Sequence, residues 1–251
     1  MRKIIIGSFP VLIAFLLASC QTFSDIPIVR EFHKKIELNE NSTIYFENVH
    51  GDLEIYGWKK DSVEIRAEKT GTDTQLRQTD IDLKKKGSTL FIKTLFPRAD
   101  IRSVFVHYEL RVPQNILFKG IKIKKGDMRS FQIYGELFAK LEEGNIEIED
   151  FSGTCNLFTE NGNIVARIYG SRANDDFTFK TNEGDISLFV PPSLDARIEA
   201  ETRQGEIHSD FAPEEKEEEP IKKWDTTFGQ GKAKIKINSW NGNIQVKKIQ
   251  L

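Results

Sequence analysis

The chain has 251 residues, with 36 basic against 38 acidic side chains and a formal net charge of −2. This near balance argues against nucleic acid as a partner, as does the lack of a basic stretch of sequence with interleaved aromatic residues. The length is sufficient for one all-β domain. Only two cysteines are present, Cys20 and Cys155, so no disulfide framework is expected if Cys20 is modified as described next.

The first residues have the pattern of a secretion signal. Met1-Arg2-Lys3 is basic, and the apolar run from Ile4 to Leu17 is too short to span a membrane comfortably. The run ends at Leu17-Ala18-Ser19-Cys20, which resembles a bacterial lipobox, in which the cysteine is lipidated and becomes the first mature residue. We therefore expect a signal peptide over residues 1–19, lipidation at Cys20 and a tether over residues 20–29. The lipid would attach the protein to a bacterial membrane, with the protein periplasmic or surface-exposed.

Between residues 36 and 117, apolar and polar residues alternate in short runs, which predicts strands with one buried face. In chain order, the expected strands are Thr43–Glu47, Asp52–Tyr56, Ser62–Glu68, Leu76–Lys84, Thr89–Lys93 and Val104–Val112. No window has a sustained period of 3.6 residues, so almost no helix is expected after the signal peptide. We predict a single β domain over residues 30–251.

One short phrase recurs from residue 126 onwards: a glycine, then Asp, Asn or Glu, then an apolar residue. An earlier copy begins at Gly51. Self-similarity at a nearly fixed short period indicates a stacked repeat. The later copies are separated by 18, 18, 22, 21 and 37 residues and begin at Gly126, Gly144, Gly162, Gly184, Gly205 and Gly242.

Four of the copies have a hydroxyl residue three positions before the glycine, namely Thr159, Thr181, Thr202 and Ser239. Glycine suits a turn with positive φ, and the hydroxyl can bond a neighbouring backbone group. Apolar residues alternate on both sides of the turns, as with Cys155 and Leu157 before one turn and Ile164 and Ala166 after it. These glycines, threonines and the serine are therefore predicted to be structural turn residues, and the pattern assigns no ligand-binding residue.

Two arrangements fit a repeat of strand, turn and strand. In a parallel β-solenoid the coils stack and like turn positions lie above one another, whereas in an antiparallel sandwich or meander each short step is a hairpin arm. Extra glycines at Gly135, Gly153 and Gly170 halve the interval but lack the Thr-x-x-Gly form. Because the full motif recurs only at the longer interval, we predict the solenoid, with coils about 4.8 Å apart. The antiparallel arrangement is the alternative.

A proline-bounded acidic run from Pro213 to Pro220 precedes the last copy of the phrase. So many carboxylates cannot be buried in a coil, so an inserted, solvated loop is predicted over about residues 212–223.

The sequence lacks the common catalytic motifs, including His-Glu-x-x-His, Gly-x-Ser-x-Gly, Ser-x-x-Lys and Cys-x-x-Cys. Its four histidines are scattered, and the turns lack the paired glycines and clustered acids of calcium-binding β-rolls. His107 and Glu109 would share one face of a strand, which we interpret as a solvated face. We therefore expect no enzyme, no bound metal and no cofactor.

Several stretches accompany the serial Gly-Asx-Ile turns: Val49-His50-Gly51-Asp52-Leu53-Glu54-Ile55-Tyr56-Gly57-Trp58, Leu110-Arg111-Val112-Pro113 and Val190-Pro191-Pro192. In this order and spacing they resemble the DUF4097, or putative adhesin, family of bacterial envelope proteins, which is related to the head-GIN adhesin-like proteins. The resemblance covers roughly residues 30–251. It implies a β-solenoid-like fold at the cell envelope or surface and brings no catalytic residues with it.

The expected function is that of a non-enzymatic cell-envelope lipoprotein, acting as a binding or scaffold module such as an adhesin, with a glycan or protein partner. Two alternatives stay open: an envelope-stress or regulatory component that contacts another membrane protein, and a polysaccharide-acting enzyme. Aromatic residues predicted to point outward are Tyr169, Phe189, Trp224 and Trp240. Trp240 lies beside a turn, where it would either cover a terminal coil or form a platform for a ligand.

Overall fold

The computed structural model describes residues 26–96, 104–211, 215–218 and 221–249. In chain order, the strands are β1 (Ile28–Glu37), β2 (Thr43–His50), β3 (Leu53–Trp58), β4 (Ser62–Gly71), β5 (Asp80–Lys86), β6 (Thr89–Leu95), β7 (Phe105–Pro113), β8 (Leu117–Lys125), β9 (Met128–Phe131), β10 (Glu136–Glu143), β11 (Ile146–Glu149), β12 (Thr154–Asn161), β13 (Ile164–Arg167), β14 (Asp176–Glu183), β15 (Ile186–Val190), β16 (Ala196–Gln204), β17 (Ile207–Ser209), β18 (Glu215–Glu218), β19 (Ile221–Thr227), β20 (Ala233–Asn241) and β21 (Ile244–Lys248). The one helix among the described residues is α1 (Asp73–Gln78), between β4 and β5.

Most strands come in pairs that are consecutive in the chain but belong to different sheets, and each such pair forms one coil. Among the described residues, the first sheet has the strand order β1-β4-β7-β3-β9-β11-β13-β15-β21-β17. The second sheet has the order β18-β19-β16-β20-β14-β12-β10-β8-β2-β6-β5. Equivalent strands of neighbouring coils are parallel and in register, as are β10 and β12 in one sheet and β11 and β13 in the other. The predicted solenoid is therefore confirmed, and the antiparallel alternative is not the arrangement found.

The order of the coils in space differs from their order in the chain at both ends of the stack. The coil β2–β3 lies between β6–β7 and β8–β9. The coil β20–β21 lies between β14–β15 and β16–β17. The first and the last coils of the chain are thus both interior members of the stack.

Antiparallel strands cover one end of the stack in both sheets and the other end in the second sheet, whereas the first sheet ends there at the parallel strand β17 among the described residues. At one end β4 pairs with β7, β1 with β4, and β5 with β6. At the other end β19 pairs with β16, and β18 pairs with β19. A terminal coil would otherwise expose a row of unpaired backbone groups, and a hairpin covers that row without requiring a further coil.

The core lies between the two sheets and is built from the inward members of the alternating runs. Leu157, Phe179 and Ile237 are register neighbours on three adjacent strands of the second sheet, and all three are fully buried. Ile164 and Ile186 form the equivalent buried row of the first sheet. Because side chains of the same kind repeat in every coil, the core is continuous along the stack.

The helix α1 occupies the beginning of a segment that was predicted to be a strand. The run Leu76–Lys84 was expected to be extended, whereas residues up to Gln78 are helical and β5 begins at Asp80. Thr72 is the N-cap, and Thr72 and Gln75 form a reciprocal capping box. The capping box and the burial of Leu76 stabilise one short turn of helix, which is too short to produce a detectable 3.6-residue period.

The acidic insert is not entirely a loop, as was expected over residues 212–223. β18 pairs with β19, and together they extend the second sheet at its edge. An edge strand can accept a run of charged residues, so an acidic segment can still join a ladder there. Residues 212–214 and 219–220 of the insert lie outside the described residues. The longest step in the repeat arises because β18 and β19 intervene between β17 and β20.

Candidate binding faces

The glycines of the recurrent phrase form one column along a corner of the stack, in the spatial order Gly51, Gly126, Gly144, Gly162, Gly184, Gly242 and Gly205. All but Gly205 have φ between +118° and +157°. A Cβ atom on Gly144 would lie 2.0 Å from the carbonyl oxygen of Gly126, and the other members meet the same kind of obstacle. Glycine is required because successive backbones approach too closely at this corner to admit a side chain.

The residue after each glycine forms a second column, which bonds one coil to the next. The backbone N–H of Asp127 donates to Asp52 Oδ1, and that of Asn145 donates to Asp127 Oδ1, both at 2.8 Å. The same bond, at 2.7–2.9 Å, is made by the N–H groups of Asn163, Asp185, Asn243 and Glu206. Because only a side-chain oxygen is used, Asp and Asn serve equally. Glu206 lies at the end of the column, so its side chain does not need to accept a hydrogen bond from a further N–H of the column.

The hydroxyl residues form a third column, and each is buried. Each hydroxyl donates to the glycine carbonyl of the adjacent coil at 2.8–3.0 Å: Thr159 to Gly144, Thr181 to Gly162, Thr202 to Gly242 and Ser239 to Gly184. At the equivalent position of β2, the Asn48 amide donates to the carbonyl of Val106 in the adjacent coil at 2.8 Å. The turn residues identified from the sequence are thus part of the internal bonding of the stack.

Only one of the two cysteines, Cys155, lies among the described residues. Cys20 lies outside the described residues. Cys155 is buried on β12, and this burial raises the pKa of its thiol well above its ordinary value. A buried, protonated thiol is a poor nucleophile, so Cys155 serves as a core residue.

A hollow of about 580 Å³ opens on the outer face of the first sheet, over β1, β4, β7 and β3. His33 Nε2 lies 2.9 Å from Glu64 Oε1, and Arg66 contacts the same carboxylate at 2.9 Å. The hydrogen bond from Arg66 lowers the pKa of the Glu64 carboxyl. The charges at this end of the hollow therefore compensate one another.

The other histidine of this hollow, His107, lies on the same outer face as Glu109, but the two have different partners. His107 Nδ1 is 3.2 Å from Asp52 Oδ2, whereas Glu109 accepts a hydrogen bond from Arg111 at 2.9 Å. In the part of the chain that the structure describes, no three His, Cys, Asp or Glu side chains are grouped so as to hold a metal ion.

Beyond the hollow, the outer face of the first sheet carries alternating charges across neighbouring strands. Arg129 lies between Glu54, at 3.5 Å, and Glu147, at 3.8 Å. The hydroxyl of Tyr56 donates to Glu54 at 2.8 Å, and burial together with this bond raises the pKa of Tyr56 to about 12. The Tyr56 ring stacks on that of Phe131 with centroids 5.1 Å apart. The charged side chains of this face are therefore largely paired with opposite charges on the same face.

The outer face of the second sheet has a different composition. Lys122, Lys140, Phe158 and Lys180 occupy successive register positions on β8, β10, β12 and β14, and we call them the lysine row. A hollow of about 480 Å³ adjoins the row and is lined in part by Lys93, Lys122, Lys124 and Lys140. The basic stretch that is absent from the sequence is thus assembled across strands by the register of the coils.

The aromatic residues expected on the surface have several environments. Tyr169 and Trp240 are exposed, and Phe189 is half-buried against Arg167. The prediction that Trp224 points outward is wrong, because Trp224 is buried on β19, at the end of the second sheet. Trp240 does not cover a terminal coil, since β20 is interior and the Arg203 guanidinium lies 4.2 Å from its ring centroid.

The helix α1 has six residues, and no helix in the described ranges could span a bilayer.

Comparison with known proteins gave a family match and several structural likenesses. The family model described as Toastrack DUF4097 matches residues 33–247. A putative cell adhesion protein from Clostridium sporogenes is 17% identical, with 88% of this chain and 100% of that chain covered and a TM-score of 0.49. A putative adhesin from Bacteroides fragilis is 14% identical, covering 88% and 97% at a TM-score of 0.32. A putative lipid binding protein from Parabacteroides distasonis is 12% identical, with the same coverage and a TM-score of 0.31. No curated protein matches the chain.

Proposed function

The chain belongs to the Toastrack DUF4097 family, and from that premise we propose that it is a non-enzymatic cell-envelope lipoprotein that acts as a binding or scaffold module, such as an adhesin. The observation that carries the proposal is the pair of broad outer sheet faces, on which side chains repeat in fixed register from coil to coil. Stacked repeats of this kind offer extended, rigid surfaces suited to a long partner. The turn residues, which could have formed a ligand site, are used in bonding the coils together.

Lipid attachment at Cys20 is the second part of the proposal. The sequence Leu17-Ala18-Ser19-Cys20 supports it, and only seven residues separate Cys20 from Ile28, where β1 begins. A lipid on Cys20 would hold the stack close to a bacterial membrane, with the protein periplasmic or surface-exposed.

Metabolic labelling with palmitate checks the anchor. We expect label in the wild-type protein and in Cys155→Ala, because the Cys155 thiol is buried, but none in Cys20→Ala. Equal labelling of Cys20→Ala and the wild type would contradict lipidation at this residue.

A glycan array combined with a hydrolysis screen tests the binding function, using the Cys20→Ala variant so that no lipid interferes. Retention of glycans without cleavage is the expected result. Turnover of a glycan that is abolished by one carboxylate substitution, such as Glu149→Gln on the exposed side of β11, would show that the protein is an enzyme and would overturn the proposal of a binding module.

A further inference from the structure

We propose that the outer face of the second sheet binds an acidic polysaccharide, which runs along the stack across the lysine row. This inference rests on the proposed binding function and adds to it the class of ligand and the surface that holds it. The ligand is an extended sugar chain that carries carboxylate, sulfate or phosphate groups along its length.

The first argument is the placement of like charges. Lys122 and Lys140 are direct register partners on β8 and β10. Like charges at directly opposite positions of neighbouring strands repel each other and destabilise a sheet. On the outer face of the first sheet Arg129 lies between Glu54 and Glu147, whereas on the second sheet no acid among the described residues separates Lys122 from Lys140. A bound anion would remove the repulsion on the second sheet.

The second argument is that nearby acids only partly compensate the row. Lys140 pairs with Glu160 at 3.1 Å, whereas Lys122 approaches Glu47 only to 4.0 Å. Lys180 contacts the ring of Phe158, and among the described residues it forms no ion pair. The hollow beside the row is lined by four lysines but only two glutamates, namely Lys93, Lys122, Lys124, Lys140, Glu47 and Glu142. The face therefore keeps a local excess of positive charge within a chain of net charge −2.

The third argument is the aromatic surface between the amines. The Phe158 ring lies 5.4 Å from Lys140 Nζ and 5.8 Å from Lys180 Nζ, so an aromatic group separates the two cations. On β2, which pairs with β8, and on β6 beyond it, the Tyr45 and Phe91 rings stack with centroids 5.2 Å apart, and each residue is 37% exposed. The electron-rich face of an aromatic ring attracts the weakly positive C–H groups of a sugar ring, as it attracts other positive edges.

The combination favours a sugar chain over other polyanions. The row from Lys122 to Lys180 covers three coil steps, or roughly 14 Å, so it can contact several anionic groups of one extended chain. A flat anionic membrane surface would engage the lysines but would leave the concave hollow unfilled. A free phosphate ion would need neither the length of the row nor the aromatic rings.

The test measures binding of heparin, as an acidic polysaccharide, to the Cys20→Ala protein at low and at physiological salt. We expect binding that weakens with salt, because exposed charge pairs are screened. Lys122→Gln/Lys140→Gln/Lys180→Gln should bind at least about tenfold more weakly. Phe158→Leu should bind severalfold more weakly. Lys34→Gln/Lys35→Gln/Lys247→Gln removes the same charge from the first sheet and should bind heparin like the parent protein.

The controls separate this inference from the general binding function. Neutral dextran should not bind, and vesicles containing phosphatidylglycerol should bind more weakly than heparin. Equal loss of heparin binding in the two triple variants would show that net charge alone is responsible and would overturn the site. Binding of vesicles but not of heparin would overturn the ligand class in favour of a membrane surface. Retention of neutral glycans alone would overturn the acidic polysaccharide and leave the binding function standing.

Discussion

Gly144→Ala is expected to reduce the free energy of unfolding by more than about 3 kcal/mol. Gly144 has φ +146°, where an L side chain is strained, and its new Cβ would lie 2.0 Å from the backbone oxygen of Gly126. A backbone oxygen cannot move aside as a side chain can, so the coils on both sides would have to separate. Separation would also stretch the bond from the Asn145 N–H to Asp127 Oδ1, and urea unfolding followed by circular dichroism measures the loss.

Two other glycines supply matched controls. A Cβ on Gly170 would meet nothing within 4 Å, and its φ is not in the positive range, so Gly170→Ala should leave stability nearly unchanged. Gly87 has φ +58° but open space around it, so Gly87→Ala should cost only the backbone strain, about 1–2 kcal/mol. If Gly144→Ala were no more costly than Gly87→Ala, close approach of the coils would not be the reason for glycine in the column.

Phe179→Ala should cost about 3–5 kcal/mol of stability. Phe179 is fully buried between Leu157 and Ile237 in the second sheet, and it contacts neighbours that are themselves held in register. The stack cannot collapse into the space without breaking that register, so a cavity should remain. Urea unfolding monitored by circular dichroism measures this loss as well.

Phe189→Ala is the matched control for Phe179→Ala. Phe189 is an outward, half-buried phenylalanine on β15, near the Arg167 guanidinium and the Lys247 amine. Its removal should cost less than about 1.5 kcal/mol, because less apolar surface returns to water. Similar losses for the two variants would mean that the row containing Phe179 is not the tightly packed part of the core.

The stack could be predicted from the sequence because its physical requirements are local and repeat in every coil. A glycine is needed wherever two backbones approach, as at Gly162, and a hydroxyl is needed to bond the adjacent glycine carbonyl, as at Thr181. Alternation of buried and exposed residues then defines the strands. Each of these requirements leaves the same short pattern in every coil, and the pattern is visible without any knowledge of tertiary structure.

Features that depend on which coils become neighbours were not predicted. Nothing near Gly205 or Gly242 in the sequence indicates that the coil β20–β21 lies between β14–β15 and β16–β17 in the stack. Trp224 was expected to point outward, and it is buried because β19 covers the coil β16–β17 at the end of the second sheet. The Thr72 capping box was a visible signal for α1, but periodicity alone could not detect so short a helix.

The proposed polysaccharide surface was hidden from sequence reasoning for a similar reason. Lys122, Lys140 and Lys180 are separated in the chain by whole coils, so no window of the sequence contains them together. Parallel register places the three lysines in one row across neighbouring strands, with Phe158 between Lys140 and Lys180. The sequence contained the residues, and the pairing of strands produced the charged face.

The interior position of the last coil determines when the protein can finish folding. β20 and β21 each pair on both sides, with β14 and β16 in one sheet and with β15 and β17 in the other. During synthesis, the segment around β16 and β17 is made first, but it cannot pair with β20 and β21 until the C-terminal residues emerge from the ribosome. In the first sheet the stack ends at β17, which among the described residues pairs only with β21. A duplication or deletion of one coil is compatible with the fold only between β8 and β15, where neighbours in the chain are also neighbours in space.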